Sequence, residues 1–238
     1  MRVPSIKKTS GLINIAQTFG DVSSPRLHHA SFDKIRSAFD DYNISQEHAA
    51  KTEALKFNVF SVLRMERDEV RLHSALLAHL LNPGGSHGQN TLFLETFWSE
   101  IIQQIAPPTV PSPTPAQFKK WRVSAEKFTI HGNLDIVLQS PEHEELWVVE
   151  NKIDADEGDK QLERYQTWLN SQKRFRTKRL FFLTPDGHLS ESLADERAYT
   201  CLSYQDHIKR WLSVTIPKIC SPKVRAISEQ YLEIVQHL

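Results

Sequence analysis

Three residues on two neighbouring apolar stretches have the types and spacing to do chemistry together: Asp135, Glu150 and Lys152. In Leu134-Asp135-Ile136-Val137-Leu138 an acid stands alone among branched apolar residues, and Gly132 before it allows a sharp turn. In Leu146-Trp147-Val148-Val149-Glu150-Asn151-Lys152-Ile153, side chains alternate faces if the segment is a strand. Leu146, Val148, Glu150 and Lys152 then share one face, and Trp147, Val149, Asn151 and Ile153 share the other. Both faces are largely apolar, which predicts a central strand covered on both sides. A Glu and a Lys at the end of such a strand are costly unless they pair or bind something. The short connection Ser140–Glu144 predicts that the two strands are adjacent and antiparallel, with Asp135 and Glu150 at the same end. Two carboxylates at close range repel unless a cation lies between them. Oxygen ligands with room left for water and phosphate suit Mg²⁺ or Mn²⁺ better than zinc. Taken singly, Asp135 also fits a turn cap, and Glu-x-Lys also fits a solvated ion pair at a strand end.

Other elements must position these groups. Asp68 is predicted to cap a helix that ends at Asn82-Pro83-Gly84-Gly85. On it Glu69, His73, Leu76 and Leu80 fall on one face, the apolar one. Glu69 suits the first turn of any helix, since the dipole favours an acid there. His73 reads first as a core histidine satisfied by a neighbour. Asp154 and Glu157 suggest a capping box for a helix carrying Leu162, Tyr165, Trp168 and Leu169. On that helix Gln161 lies one turn before Tyr165, where it can hydrogen-bond to the strand ends. Trp121–Ile130, Asn133–Gln139 and Glu145–Ile153 read as three strands. Leu180–Leu183 reads as a buried fourth and Tyr199–Leu202 as a short fifth. Ser31, Ser45, Asn90, Ser203 and Ser221 are further expected helix starts. The order of helices, three strands, helix, two strands and helices predicts an α/β fold with a mixed sheet.

Composition limits the classes. The chain has 238 residues, 39% of them hydrophobic and 24% charged, enough to bury one good core. No apolar run approaches the length of a membrane span, and Asn14, Gln17 and Asp21 make the N-terminus a poor signal peptide. The two cysteines, Cys201 and Cys220, form no CxxC pair, so a cytoplasmic location is expected. The net charge of zero does not favour a nucleic-acid binder, so any such function rests on local charge and metal ions. Lys173, Arg174, Arg176, Lys178 and Arg179 form a basic cluster that suits either a phosphate backbone or a solvated loop. His87 and Gln89 lie in a loop that reads as an ordinary turn. Residues 1–28 lack a period and are expected to be flexible. Residues 29–238 are expected to form a single domain. It would comprise a helical part at 29–106, a Pro-rich loop at 107–117, a sheet core at 118–202 and C-terminal helices at 203–238.

Gly132-Asn133-Leu134-Asp135, Glu150-Asn151-Lys152 and Gln161-Leu162-Glu163-Arg164-Tyr165 together resemble the PD-(D/E)XK nuclease superfamily. Arg67-Asp68-Glu69-Val70-Arg71-Leu72-His73-Ser74, followed by Leu80-Leu81-Asn82-Pro83 and Gly85-Ser86-His87-Gly88, resembles an uncharacterised bacterial branch of it. The similarity covers roughly Phe57 to Pro185, and Leu134 stands where the name-giving proline would be. The resemblance implies a restriction-endonuclease-like αβββαβ core with extra N- and C-terminal helices. It implies that Asp135 and Glu150 bind Mg²⁺ or Mn²⁺, with the Asn151 carbonyl as a further ligand. Lys152 would position the attacking water or stabilise charge on the phosphate, Glu69 would complete the acidic cluster, and Gln161 would steady the site. His73 and Tyr165 are supporting candidates. The implied partner is nucleic acid, DNA first, and a homo-oligomer is compatible with this. An RNA-directed nuclease, a nuclease-fold module that binds without cutting, and a protein whose acids are coincidental are the alternatives.

Overall fold

The structure is a computed structural model and describes residues 25–52, 54, 57–105 and 112–238. The chain divides between Phe57 and Asn58 into two compact units, whereas the sequence suggested one domain from residue 29. In the first, helix α1 runs Pro25–Thr52 without a break. Ser31 and Ser45, expected as helix starts, lie inside it. Of the segment expected to be flexible, 25–28 belong to this helix, and 1–24 lie outside the described residues.

The second unit is a five-stranded mixed sheet with helices on both faces. It opens with the short helix α2, Val59–Val62. Helix α3 then begins as a π-helical turn, Glu69–Ser74, and continues as an α-helix, Ala75–Leu81. Asp68 caps it as expected, its side chain accepting from the Arg71 amide, and it ends at Asn82. The next helix, α4, runs through Leu92–Phe97, Trp98–Ile102 and Gln103–Ile105, with Thr91 and not Asn90 at its start. The expected Pro-rich loop holds a one-turn helix instead, α5, Pro115–Phe118. Thr114 and Gln117 form a capping box there, and Pro115 fills the first position. Residues 107–111 of that loop lie outside the described residues.

Strands β1 (Arg122–Thr129), β2 (Gly132–Ser140), β3 (Glu145–Asn151), β4 (Thr177–Thr184) and β5 (Thr200–Ser203) lie side by side in chain order. The first two pairings are antiparallel and the last two parallel. Helix α6, Gln161–Ser171, makes the crossover from β3 to β4 that a parallel pair needs. Helix α7 follows β5 through Tyr204–Ile208, Lys209–Thr215 and a last 3₁₀ turn at Ile216–Lys218. Helix α8 is Pro222–Val235. Ser203 and Ser221 cap these two helices as expected.

The alternation expected in β3 is present. Trp147, Val149 and Ile153 pack into one core with α3, α4, α7 and α8, while Leu146 and Val148 pack into a second core under α6. Trp147 is fully buried, tilted against Trp121 at 4.5 Å and stacked on Trp98 at 5.5 Å between ring centres. A strand buried on both faces cannot move its end without disturbing both cores, so β3 is a firm platform for what it carries. Among the described residues no helix is long and apolar enough to cross a membrane.

Candidate active site

Glu150 stands at the end of β3 and is completely buried. The β2–β3 register pairs Ile136 with Val149, so the next rung sets Asp135 opposite Glu150. Oδ2 of Asp135 accepts the Asn151 amide at 2.7 Å, which ties the two strand ends together. On Glu150, Oε1 takes Lys152 Nζ at 3.1 Å and a hydrogen bond from Gln161 Nε2 at 2.6 Å. Its other oxygen, Oε2, is buried without a partner.

Gln161 begins α6, where its amide nitrogen also donates to the Tyr165 hydroxyl at 2.9 Å and its oxygen accepts from the Gly158 amide at 3.0 Å. The Tyr165 hydroxyl donates to the Asn133 carbonyl. Gly132 is essential to that approach. It sits at φ +129°, and a Cβ there would lie 3.1 Å from the Tyr165 ring. A chain of hydrogen bonds thus runs from the start of β2 through Tyr165 and Gln161 to Glu150. The expected capping box is absent. Lys160, in a left-handed conformation, precedes the helix. Asp154 pairs with Arg67 instead, and Glu157 binds the amides of Glu191 and Ser192 at 2.7 and 3.3 Å.

Electrostatics mark the site. Burial pushes the Asp135 carboxyl up to about 6, and Glu126 adds to the push against the Asn151 amide and Lys152. Burial raises Glu150 well above its ordinary value, and Asp135 raises it further. Burial works against the charge of Lys152, but Glu150, Asp135 and Glu69 outweigh it and hold its pKa above the usual value. The ammonium therefore stays charged at neutral pH.

Glu69 is present at the site's edge in a different posture from the one expected. Its Oε1 accepts three backbone amides, those of Ile153 at 2.7 Å and of Asp154 and Ala155 at 3.0 Å each. It clamps the turn directly after Lys152. The Asn151 side chain is committed to the core, donating to Ser74 Oγ at 3.0 Å and accepting the Tyr204 hydroxyl at 2.8 Å. His73 is buried, with its ring nitrogens on the Tyr231 hydroxyl at 3.0 Å and the Glu66 carbonyl at 2.9 Å. Burial pulls it down to about 4, so it is a neutral core histidine.

The basic cluster is not brought to the acids. Thr177 pairs with Glu145 while Leu183 pairs with Asn151, so the cluster lies about 20 Å along the sheet at ~3.3 Å per residue. There Arg176 pairs with Glu144 at 2.6 Å, and Lys178 donates to the Asn170 carbonyl at 3.2 Å. Arg174 lines a cleft of about 450 Å³ with Lys119, Lys120 and Arg122, also away from the carboxylates. His87 bonds the Asn82 carbonyl at 2.9 Å, as a turn residue would.

One acid at this site was missed. Glu126 on β1 is the residue across from Asp135 in the β1–β2 register, yet the ladder skips that rung. Its backbone is left-handed at φ +51°, which costs on the order of 1–2 kcal/mol for a residue with a Cβ. The signal for it was the turn: a two-residue hairpin through Ile130-His131 sets Glu126 opposite Asp135 by counting.

The residues present suit a divalent ion. Glu150 Oε2 is a buried acceptor with no donor, faced by a second carboxylate. Among the described residues no three His, Cys, Asp or Glu side chains form a ready ligand set. Two carboxylates are the usual protein share for Mg²⁺, which keeps several of its waters.

A family model described as the PD-(D/E)XK nuclease superfamily matches residues 57–233. No curated protein and no solved structure matches the chain.

Proposed function

The chain belongs to the PD-(D/E)XK nuclease superfamily, and from that premise we propose that it is a Mg²⁺- or Mn²⁺-dependent endonuclease that hydrolyses phosphodiester bonds in DNA. The observation that carries this reading is Glu150: fully buried, one oxygen held by Lys152 and Gln161, the other without a partner beside Asp135. A carboxylate so placed is costly unless a cation completes it.

Asp135 and Glu150 are the residues that would hold the metal, with the Asn151 carbonyl as a backbone donor. A divalent metal there lowers the pKa of bound water and offsets charge on the phosphate. Lys152 stays charged beside the two acids, where it orients the attacking water or stabilises the oxyanion on phosphorus. Gln161 fixes which way the Glu150 carboxylate points, and Tyr165 fixes Gln161. Glu69 sets the course of the backbone after Lys152 by its three amide bonds. The hairpin tip at this end of the sheet exposes Phe128 and Ile130 at 85% and 97%, beside Lys127 and Arg164. Exposed apolar and cationic groups together suit nucleobases and phosphates.

DNA is the substrate chosen because the fold is restriction-endonuclease-like. A module that binds without cutting is disfavoured by the intact set of Asp135, Glu150 and Lys152. Plasmid, single-stranded DNA and RNA, each incubated with Mg²⁺, Mn²⁺ or EDTA, test the proposal. Metal-dependent cutting of DNA, lost in Asp135→Asn, is expected. Cutting of RNA alone would move the assignment to an RNA-directed nuclease. Metal-dependent binding without cutting would move it to a binding module.

A further inference from the structure

The β1–β2 hairpin changes character at one rung. From Arg122↔Gln139 to Ala125↔Ile136 it pairs regularly, and it pairs again from Lys127↔Leu134 to Thr129↔Gly132. Glu126 and Asp135 are the unpaired rung between. On either side the faces are reversed. Ile136 packs in the core under α3, but Leu134, two residues earlier, packs in the core under α6. On β1, Ala125 packs against the first core, while Lys127 lies over the Trp168 ring at 5.1 Å. A regular strand would keep residues two apart on one face. The left-handed backbone of Glu126 is where the turn-over occurs.

The side chains at this rung share a second peculiarity. Glu126 Oε2 accepts from Asn133 Nδ2, but Glu126 Oε1 is buried without a partner. Asn133 Oδ1 is also buried without a partner, and so is Glu150 Oε2. All three orphans are acceptors and none is a donor. Glu126 and Glu150 stand across from Asp135 on its two neighbouring strands, so the three acids lie on one line across the sheet. Reversing the Asn133 amide gives no relief, since it would set an oxygen against Glu126.

An ion on Asp135 and Glu150 keeps waters, and those waters are donors. We propose that Glu126, held in place by Asn133, is a positioning residue that accepts hydrogen bonds from the waters of a hydrated divalent cation seated on Asp135 and Glu150. This rests on the metal-dependent reading above and adds a third acid to it, on the strand before the two the motif names. Glu126 does not ligate the ion directly, in keeping with the absence of a ready three-residue ligand set among the described residues.

The test is calorimetric titration of Mn²⁺ and Mg²⁺ into the full chain without nucleic acid, for wild type, Glu126→Gln and Asp135→Asn. Partners of metal ligands typically contribute 10–100-fold in affinity. Glu126→Gln should weaken both ions by roughly 10-fold, with its melting temperature in EDTA equal to or above that of wild type. Asp135→Asn should abolish binding. A folded Glu126→Gln protein with wild-type affinity would overturn this inference alone and leave Glu126 as a residue that only shapes the hairpin. Wild type that binds neither ion would overturn the metal-dependent reading as well. Should Glu126→Gln not fold, Asn133→Ala takes its place: releasing Glu126 should also weaken binding, and unchanged affinity there would equally refute the role.

Discussion

Asp135→Asn should stabilise the metal-free protein, and only above a defined pH. The Asp135 carboxyl titrates at about 6 in the fold against 3.8 for a free aspartate. The folded chain therefore holds this proton more tightly than the unfolded chain does. Below pH 3.8 both states carry it and nothing is lost. As pH rises towards 6 the unfolded state ionises first, and stability falls. Above 6 the loss is complete, at about 3 kcal/mol from 1.36 kcal/mol per pKa unit. Asparagine resembles the protonated acid and can still accept the Asn151 amide. It also relieves Glu150, which Asp135 pushes up. In EDTA at pH 8, urea unfolding should show the variant more stable than wild type by about 2–3 kcal/mol. At pH 4 the difference should shrink towards zero. Saturating Mn²⁺ at pH 8 should reverse the order, since roughly 1,000-fold excess over Kd adds about 4.1 kcal/mol to the form that binds. A variant less stable than wild type at pH 8 in EDTA, or a difference that ignores pH, would refute the claim that the fold buries the Asp135 charge at a cost to stability.

Lys152→Ala should lose most single-turnover cleavage while Mn²⁺ affinity holds or rises, because a competing positive charge is gone; Lys152→Arg should rescue poorly, since the guanidinium lacks the compact ammonium head. Glu69→Ala removes the acceptor of three backbone amides and should cost about 2 kcal/mol in denaturant unfolding, with Glu69→Gln intermediate; an unchanged melting temperature would return Glu69 to a purely chemical role. Gln161→Ala leaves Glu150 Oε1 with Lys152 as its remaining partner and should lower kcat about 10-fold with KM little changed, as expected for a partner of a metal ligand.

Much of this was legible in the sequence because it rested on strong local rules. The alternation of β3 predicted which side chains face the acids and which face the core. Side-chain caps at Asp68, Ser203 and Ser221 placed three helix starts, since each is a short acceptor just before an apolar period. What failed depended on backbone conformations that no side chain announces. Lys160 adopts φ +47°, so α6 starts later than the Asp154–Glu157 spacing suggested, and those two acids take other partners. Ser31 looked like a cap, but α1 already runs from Pro25 and a serine inside a helix carries no mark of that. Counting back from the Ile130-His131 turn sets Glu126 opposite Asp135, but one glutamate in a strand is ordinary until its φ of +51° turns it. Glu69 was read from the face it shares with Leu76 and Leu80. That argument gives the direction of a side chain but not the three amides waiting at the end of β3.

Those amides bear on how a site of mutually repelling acids survives at a strand end at all. Glu126, Asp135 and Glu150 gather with one lysine among them, and repulsion alone would splay β2 from β3. The opposite face of the same strand end resists this. Asn151, next to Glu150, points into the core, where Ser74 and Tyr204 satisfy its side chain and Asp135 takes its amide. Glu69 then gathers the next three free amides on one oxygen. Both Glu69 and Ser74 sit on the π-helical opening turn of α3, where the His73 amide reaches back to the Asp68 carbonyl at 3.1 Å. One turn of helix therefore grips β3 on both sides of Lys152. This grip opposes separation of the carboxylates on the other face, so the protein itself sets their geometry before any ligand arrives.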